Sequence, residues 1–116
     1  MAMTGESISV RLTARQWATI DAGMDNAVSN AIDFLDDRSV EIGGSVRQAG
    51  WDQVPWIEGE WPPMEQVITI ALSASQWRFV ITDLDDSVRR GERRRDQQEL
   101  DLVRSARDAL LPQVPA

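Results

Sequence analysis

At 116 residues the chain has room for one domain around one core, and its 42% apolar and 27% charged content is that of a globular protein. All 12 basic residues are Arg, set against 19 acidic ones for a net charge of −7, and Lys, His, Cys and Tyr are absent. That inventory removes Ser-His and thiol nucleophiles, Schiff-base chemistry and the usual zinc ligand sets. Carboxylates, hydroxyls and guanidinium groups remain.

The first residues, Met1 to Ser7, carry neither the basic nor the apolar run of a secretory signal. No stretch reaches the roughly 18 apolar residues of a membrane span. The expectation is a cytoplasmic protein without membrane contact, and the lack of Cys agrees with that compartment. No cofactor is expected.

The predicted elements come in two matching sets. Ile8, Val10 and Leu12 alternate with Ser9 and Arg11, the period of a strand with one buried face. Thr13-Ala-Arg-Gln16 then forms a capping box, in which hydroxyl and amide satisfy the free N–H groups of a helix start. Trp17, Ile20, Met24, Ala27 or Val28, Ala31 and Leu35 follow at helical spacing, predicting an amphipathic helix over 14–37. The segment after it carries Gly43, Gly44 and Gly50, and adjacent glycines cost about 2 kcal/mol relative to Ala. A short, kinked or broken second helix is expected there.

A shift of 60 residues lays this set on the second half of the chain. Ile8–Trp17 falls on Ile68–Trp77, and the register holds without a gap to Gln53-Val54-Pro55 on Gln113-Val114-Pro115. Over 48 aligned pairs 14 are identical, which points to a tandem duplication. The second set predicts a strand at 67–72, a capping box at Ser73–Gln76, a helix over 74–95 and another over 99–111 that Pro112 ends. The fold class expected is α+β: a duplicated β-α-α unit with repeats at 7–55 and 67–115, joined by a linker at 56–66. Its short antiparallel strands would pair about a pseudo-two-fold axis under the helices. Two strands alone are marginal, so a homodimer pairing sheet edges into four strands is a further expectation.

Three features stand out as candidate sites. Trp51, Trp56 and Trp61 recur at intervals of five around a proline-rich linker, either as an aromatic docking patch or as a lid on the core. Trp17 and Trp77, on repeat-matched apolar faces, belong to the core. The run Val88–Asp96 holds Arg89, Arg90, Arg93, Arg94 and Arg95, where the first repeat has Ile32, Phe34 and Leu35. Arg can grip phosphate bidentately, but no aromatics interleave. Pairing with the chain's own acids, or with a second subunit, is favoured over nucleic acid. Gly91 in this run would end or kink the helix.

Acidic residues gather in the first 60 positions, which carry four Arg and ten Asp or Glu. Asp21, Asp25, Asp33, Asp36 and Asp37 along one helix, with Asp83, Asp85 and Asp86 in its partner, make either a solvated face or an imitation of nucleic-acid phosphates. The D-x-[DN]-x-[DN]-G calcium loop is missing, and no metal site is expected. No motif marks a catalytic carboxylate pair either.

Leu12-Thr-Ala-Arg-Gln-Trp17 and Leu72-Ser-Ala-Ser-Gln-Trp77, each entering a helix after a short strand, resemble a motif of small actinobacterial and actinobacteriophage proteins. Those proteins have no established activity, so the resemblance implies only a small accessory role, with phage origin included. The function expected is a non-enzymatic interaction module that binds a host or cognate protein. The alternatives are an acidic mimic that blocks a nucleic-acid-binding protein, and direct nucleic-acid binding through Arg89–Arg95.

Overall fold

Six elements follow one another in the computed structural model, which describes residues 7–94 and 96–115 except for the side chains of Arg93 and Arg94. They are β1 (Ser7–Thr13), α1 (Ala14–Asp33), α2 (Asp37–Gln53), β2 (Val67–Ser73), α3 (Ala74–Arg94) and α4 (Gln97–Leu110). The fold is α+β, with four helices and one two-stranded antiparallel sheet. Val10 pairs directly with Ile70, so the two positions matched by the 60-residue shift face each other at the centre of the register. Val10, Leu12, Ile68, Ile70 and Leu72 are buried beneath the helices, while Ser9, Arg11 and Thr69 face outward.

Both capping boxes form. Thr13 N–H donates to Gln16 Oε1 at 2.8 Å and Gln16 N–H to Thr13 Oγ1 at 3.1 Å. The Ser73–Gln76 box has the same two bonds, at 2.8 and 3.2 Å. Each capping Gln also reaches into the other half of the chain. Gln16 Nε2 donates to Ser105 Oγ, and Gln76 Nε2 donates to Ser45 Oγ. The sheet edges are held the same way. Gln53 clamps Ala71, accepting from its N–H at 2.7 Å and donating to its carbonyl at 2.8 Å. Gln113 clamps Arg11 at 2.9 and 2.8 Å. Every partner in these pairs moves by 60 positions into the matching pair, as a two-fold axis through Val10 and Ile70 would require.

The outer edge of each strand is therefore engaged at mid-length by its own chain. Pairing sheet edges between copies would have to displace these clamps, so the sheet offers no open edge at those positions.

Trp17 and Trp77 meet edge to face at the centre of the core, 6.3 Å apart and 83° inclined. Both rings are essentially inaccessible, and Trp77 Nε1 donates to the Ile8 carbonyl at 2.8 Å. Their expected core role holds.

The expectation of a broken second helix is corrected: α2 runs unbroken from Asp37 to Gln53. Two of its three glycines, Gly43 and Gly50, serve packing. A Cβ on Gly50 would lie 2.3 Å from Trp17 Cζ2, and one on Gly43 would lie 2.8 Å from Val28 Cγ2. Close approach of α2 to α1 and to the tryptophan outweighs the propensity cost of these residues. Gly91 is also corrected. It lies inside α3, buried, with Leu100 Cδ1 3.2 Å from where a Cβ would stand, and so lets α4 approach.

The expected helix over 14–37 is two elements. α1 stops at Asp33 because Asp36 caps α2, accepting from Ser39 N–H at 3.2 Å and from its hydroxyl at 2.7 Å. These bonds hold the Asp36 carboxyl below its ordinary range. Asp96 caps α4 in the same way through Glu99 N–H.

Candidate functional site

Where α1 turns into α2, the chain exposes Ile32, Phe34 and Leu35, of which a helix over 14–37 would have placed Leu35 on its apolar face. Asp36 N–H returns to the Ala31 carbonyl at 2.8 Å and Leu35 N–H to the Ile32 carbonyl at 3.1 Å. Leu35 occupies the left-handed region with φ 57°, at the position after a helix end where Gly is the usual residue. Its side chain is 86% exposed, that of Phe34 83% and that of Ile32 56%. Leu35 is thus no core residue, which corrects its place on the predicted apolar face. Asp33, Asp36 and Asp37 surround this tip. The adjacency of Phe34 and Leu35 before an Asp-x-x-Ser cap was the signal that could have revealed it.

The three linker tryptophans do come together. Trp51 and Trp56 have ring centroids 5.0 Å apart, Trp56 and Trp61 4.7 Å, all tilted rather than parallel. Trp56 Nε1 donates to the Trp51 carbonyl at 2.9 Å. A tight turn follows at Glu58-Gly59, both with positive φ, between the paired Ile57 and Glu60. Trp56 and Trp61 are half-buried against the core and act as its lid, whereas Trp51 is 56% exposed.

Among the described residues, neither Arg89 nor Arg90 hydrogen-bonds to these tryptophans. Arg89 pairs with Asp86 one turn earlier on α3, and Arg90 Nη2 donates to Ser87 Oγ at 2.9 Å. Arg95 and the side chains of Arg93 and Arg94 lie outside the described residues.

The acidic face of α1 is partly spent within the fold. Arg47 of α2 meets Asp21 at 3.2 Å and Asp25 at 3.1 Å, and the Asp21 hydrogen bond leads in holding its pKa above the ordinary value. In the second half Arg107 reaches Asp85 at 3.6 Å, but Ile81 stands at the position matching Asp21. Arg107 Nε is buried without a hydrogen-bond partner, its nearest carboxylate being Asp108 at 3.5 Å.

Two grooves flank α1. The larger, about 790 Å³, runs between α1 and α4 over Ala18, Ala22, Gly23, Leu102 and Val103, with Arg90 on its wall. The smaller, about 350 Å³, lies between α3 and the end of α1 with the turn after it, and Phe34 of that turn belongs to its lining. Phe79, Thr82 and Asp83 line it at the positions where the larger groove has Thr19, Ala22 and Gly23. The Asp83 carboxylate packs against Gly23, and burial raises its pKa to about 6; Arg90 opposes the shift and Asp86 adds to it. Among the described residues no group of three or more acidic side chains is placed to hold a metal ion. No helix of the described residues is long and apolar enough to cross a membrane.

Compared with known protein families, with curated proteins and with solved structures, the chain has no match.

Proposed function

We propose that the chain is a non-enzymatic protein-interaction module whose docking element is the tip Ile32–Leu35. The observation that carries this reading is Leu35: a large apolar side chain in left-handed backbone, projecting into water beside Phe34. The backbone penalty of such a residue is about 1 kcal/mol or more, and its side chain returns almost no burial to the fold. Strain of this kind, kept without structural return, belongs to a functional surface. The residue inventory supports a binding role over catalysis, since no His, Cys or Lys is present.

The partner would offer an apolar pocket with a basic rim, matching Phe34 and Leu35 amid Asp33, Asp36 and Asp37. A cytoplasmic accessory protein, phage-encoded or actinobacterial, is the setting this proposal includes, in line with the strand–helix motif described above. Trp51 supplies a second docking surface, because its exposed face tops the Trp56–Trp61 pair. The acidic-mimic and nucleic-acid readings weaken, because Asp21, Asp25 and Asp86 are engaged by the chain's own arginines.

Affinity capture from a host extract tests the proposal. The wild-type chain should retain a stoichiometric protein that both Phe34→Ser and Leu35→Gly release, with Trp51→Ala having a smaller effect. A partner held equally by wild type and both tip variants would move the docking surface elsewhere.

A further inference from the structure

The smaller groove holds a carboxylate that the fold leaves uncompensated. Asp83 projects from α3 toward Gly23 of α1, where a Cβ would lie 2.8 Å from its Oδ2. Among the described residues it accepts no hydrogen bond, and the cation that acts on it does so only through space. That cation is Arg90, whose guanidinium lines the larger groove and donates to Ser87 Oγ. Burial outweighs its effect, and the carboxyl pKa stands at about 6. The other acids facing this cleft are already engaged. Asp86, on α3, pairs with Arg89, and Asp36, from the turn after α1, caps α2 through Ser39. α1 meets the cleft with Ala27, Asn30 and Ala31, and α2 with Ser39, none of them charged. From α4, Glu99 lies with Arg90 in the larger groove.

Apolar and aromatic side chains surround this one free carboxylate. Ala27 and Ala31 line the cleft beside the half-buried Phe79, and Phe34 of the tip lines it while remaining 83% exposed. None of this is inherited from the repeat, since the 60-residue shift matches Phe79 with Thr19, Asp83 with Gly23 and Phe34 with Arg94. A cleft of about 350 Å³ is at the small end for ligands and takes one long side chain, not a helix or strand. A single free carboxylate among rings and alanines asks for one positive charge on an apolar stem, the form of lysine and arginine. A polyamine would bring further charges with no free carboxylate to meet them.

We propose that the protein bound by the tip inserts a lysine or arginine side chain into this cleft, its charged end against the Asp83 carboxylate and its stem along Phe79 and Phe34. This rests on the reading of the tip as a docking element and names the partner residue that enters beside it. The partner's cation supplies the compensation that Arg90, held in the other groove, does not complete.

Heteronuclear NMR titration of the full chain with N-acetyl-lysine methylamide and N-acetyl-arginine methylamide tests the assignment, with N-acetyl-norleucine methylamide as the uncharged control. At pH 7.5 a basic probe should move the amide signals of Ala31, Thr82 and Asp83, and the control should bind at least about tenfold more weakly. Affinity for the basic probe should fall about tenfold between pH 7.5 and pH 5.0, as Asp83 takes up its proton and the binding-competent fraction shrinks. Asp83→Asn keeps the size of the side chain and should erase both the preference for charge and the pH dependence.

No shift with either basic probe, an equal response to norleucine, or binding unchanged in Asp83→Asn or at pH 5.0 would overturn the proposal. Cadaverine binding about tenfold more tightly than the lysine probe would also overturn it, assigning the cleft to a free polyamine. Any of these leaves the tip free to bind a protein without help from the cleft. The proposed function fails separately, if a captured partner ignores the tip variants while the basic probes still bind.

Discussion

Single residues in this protein divide into those that the fold needs and those it tolerates at a cost. Asp83 is of the second kind. Burial beside Gly23 raises its pKa to about 6, Arg90 on the same helix opposes this and Asp86 adds to it, and the facing side of α1 contributes no charge there. Because the folded value exceeds the unfolded one of 3.8, the native state holds this proton more tightly. The stability it contributes is full below pH 4 and is lost as pH rises through 6. Asp83→Asn should therefore be more stable than wild type at pH 7.5, by about 1–2 kcal/mol after allowing for the remaining solvent contact, and equal to it near pH 3.5. Urea unfolding at the two pH values checks this; an equal difference at both would remove the ionisation from the account. Leu35, in left-handed backbone at the exposed tip, is a cost of the same sort.

Among the elements, α2 shows how far a sequence can mislead through propensity alone. Its glycines read as breakers, because nothing in the local sequence reveals that Trp17 will lie against Gly50. Tertiary packing decided the matter. Gly50→Ala should destabilise the protein by about 2–3 kcal/mol, the ring contact far exceeding the roughly 1 kcal/mol gained in helix propensity. Gly44→Ala, on the open side of the same helix with no atom near its missing Cβ, should stabilise by about 0.5–1 kcal/mol. Denaturant unfolding of the pair should give opposite signs, and a shared sign would mean that propensity rules α2 after all. The strands, both capping boxes and α3 and α4 were legible because period and cap chemistry are local signals. The α1–α2 turn was not, since the 3.6-residue spacing carries on through Leu35 and only the competing Asp36–Ser39 cap ends it.

Across the whole molecule, the 60-residue shift in the sequence has a geometric counterpart in exchanged contacts. Gln16 with Ser105, Gln76 with Ser45, and the Gln53 and Gln113 clamps all join opposite halves. Each half thus borrows part of its hydrogen bonding and half of its tryptophan core from the other. Departures from that correspondence are where function is to be sought: a larger groove against a smaller one, and the apolar Ile32, Phe34 and Leu35 where the second half of the sequence has Glu92, Arg94 and Arg95. Of the candidate residues, the sequence made the tryptophans visible by their spacing and the arginines by their density. Phe34 and Leu35 were hidden, because exposure is a property of the packed chain. The central claim is that these two side chains serve binding and contribute nothing to the fold. Thermal unfolding of the Phe34→Ser/Leu35→Gly double variant, at a concentration too low for association, tests it most directly. The midpoint should equal or exceed that of wild type, since the exposed ring is lost without penalty and the left-handed position gains its preferred residue. A midpoint lower by about 5 °C or more, corresponding to roughly 1 kcal/mol, would place Phe34 and Leu35 among the residues that hold the structure together.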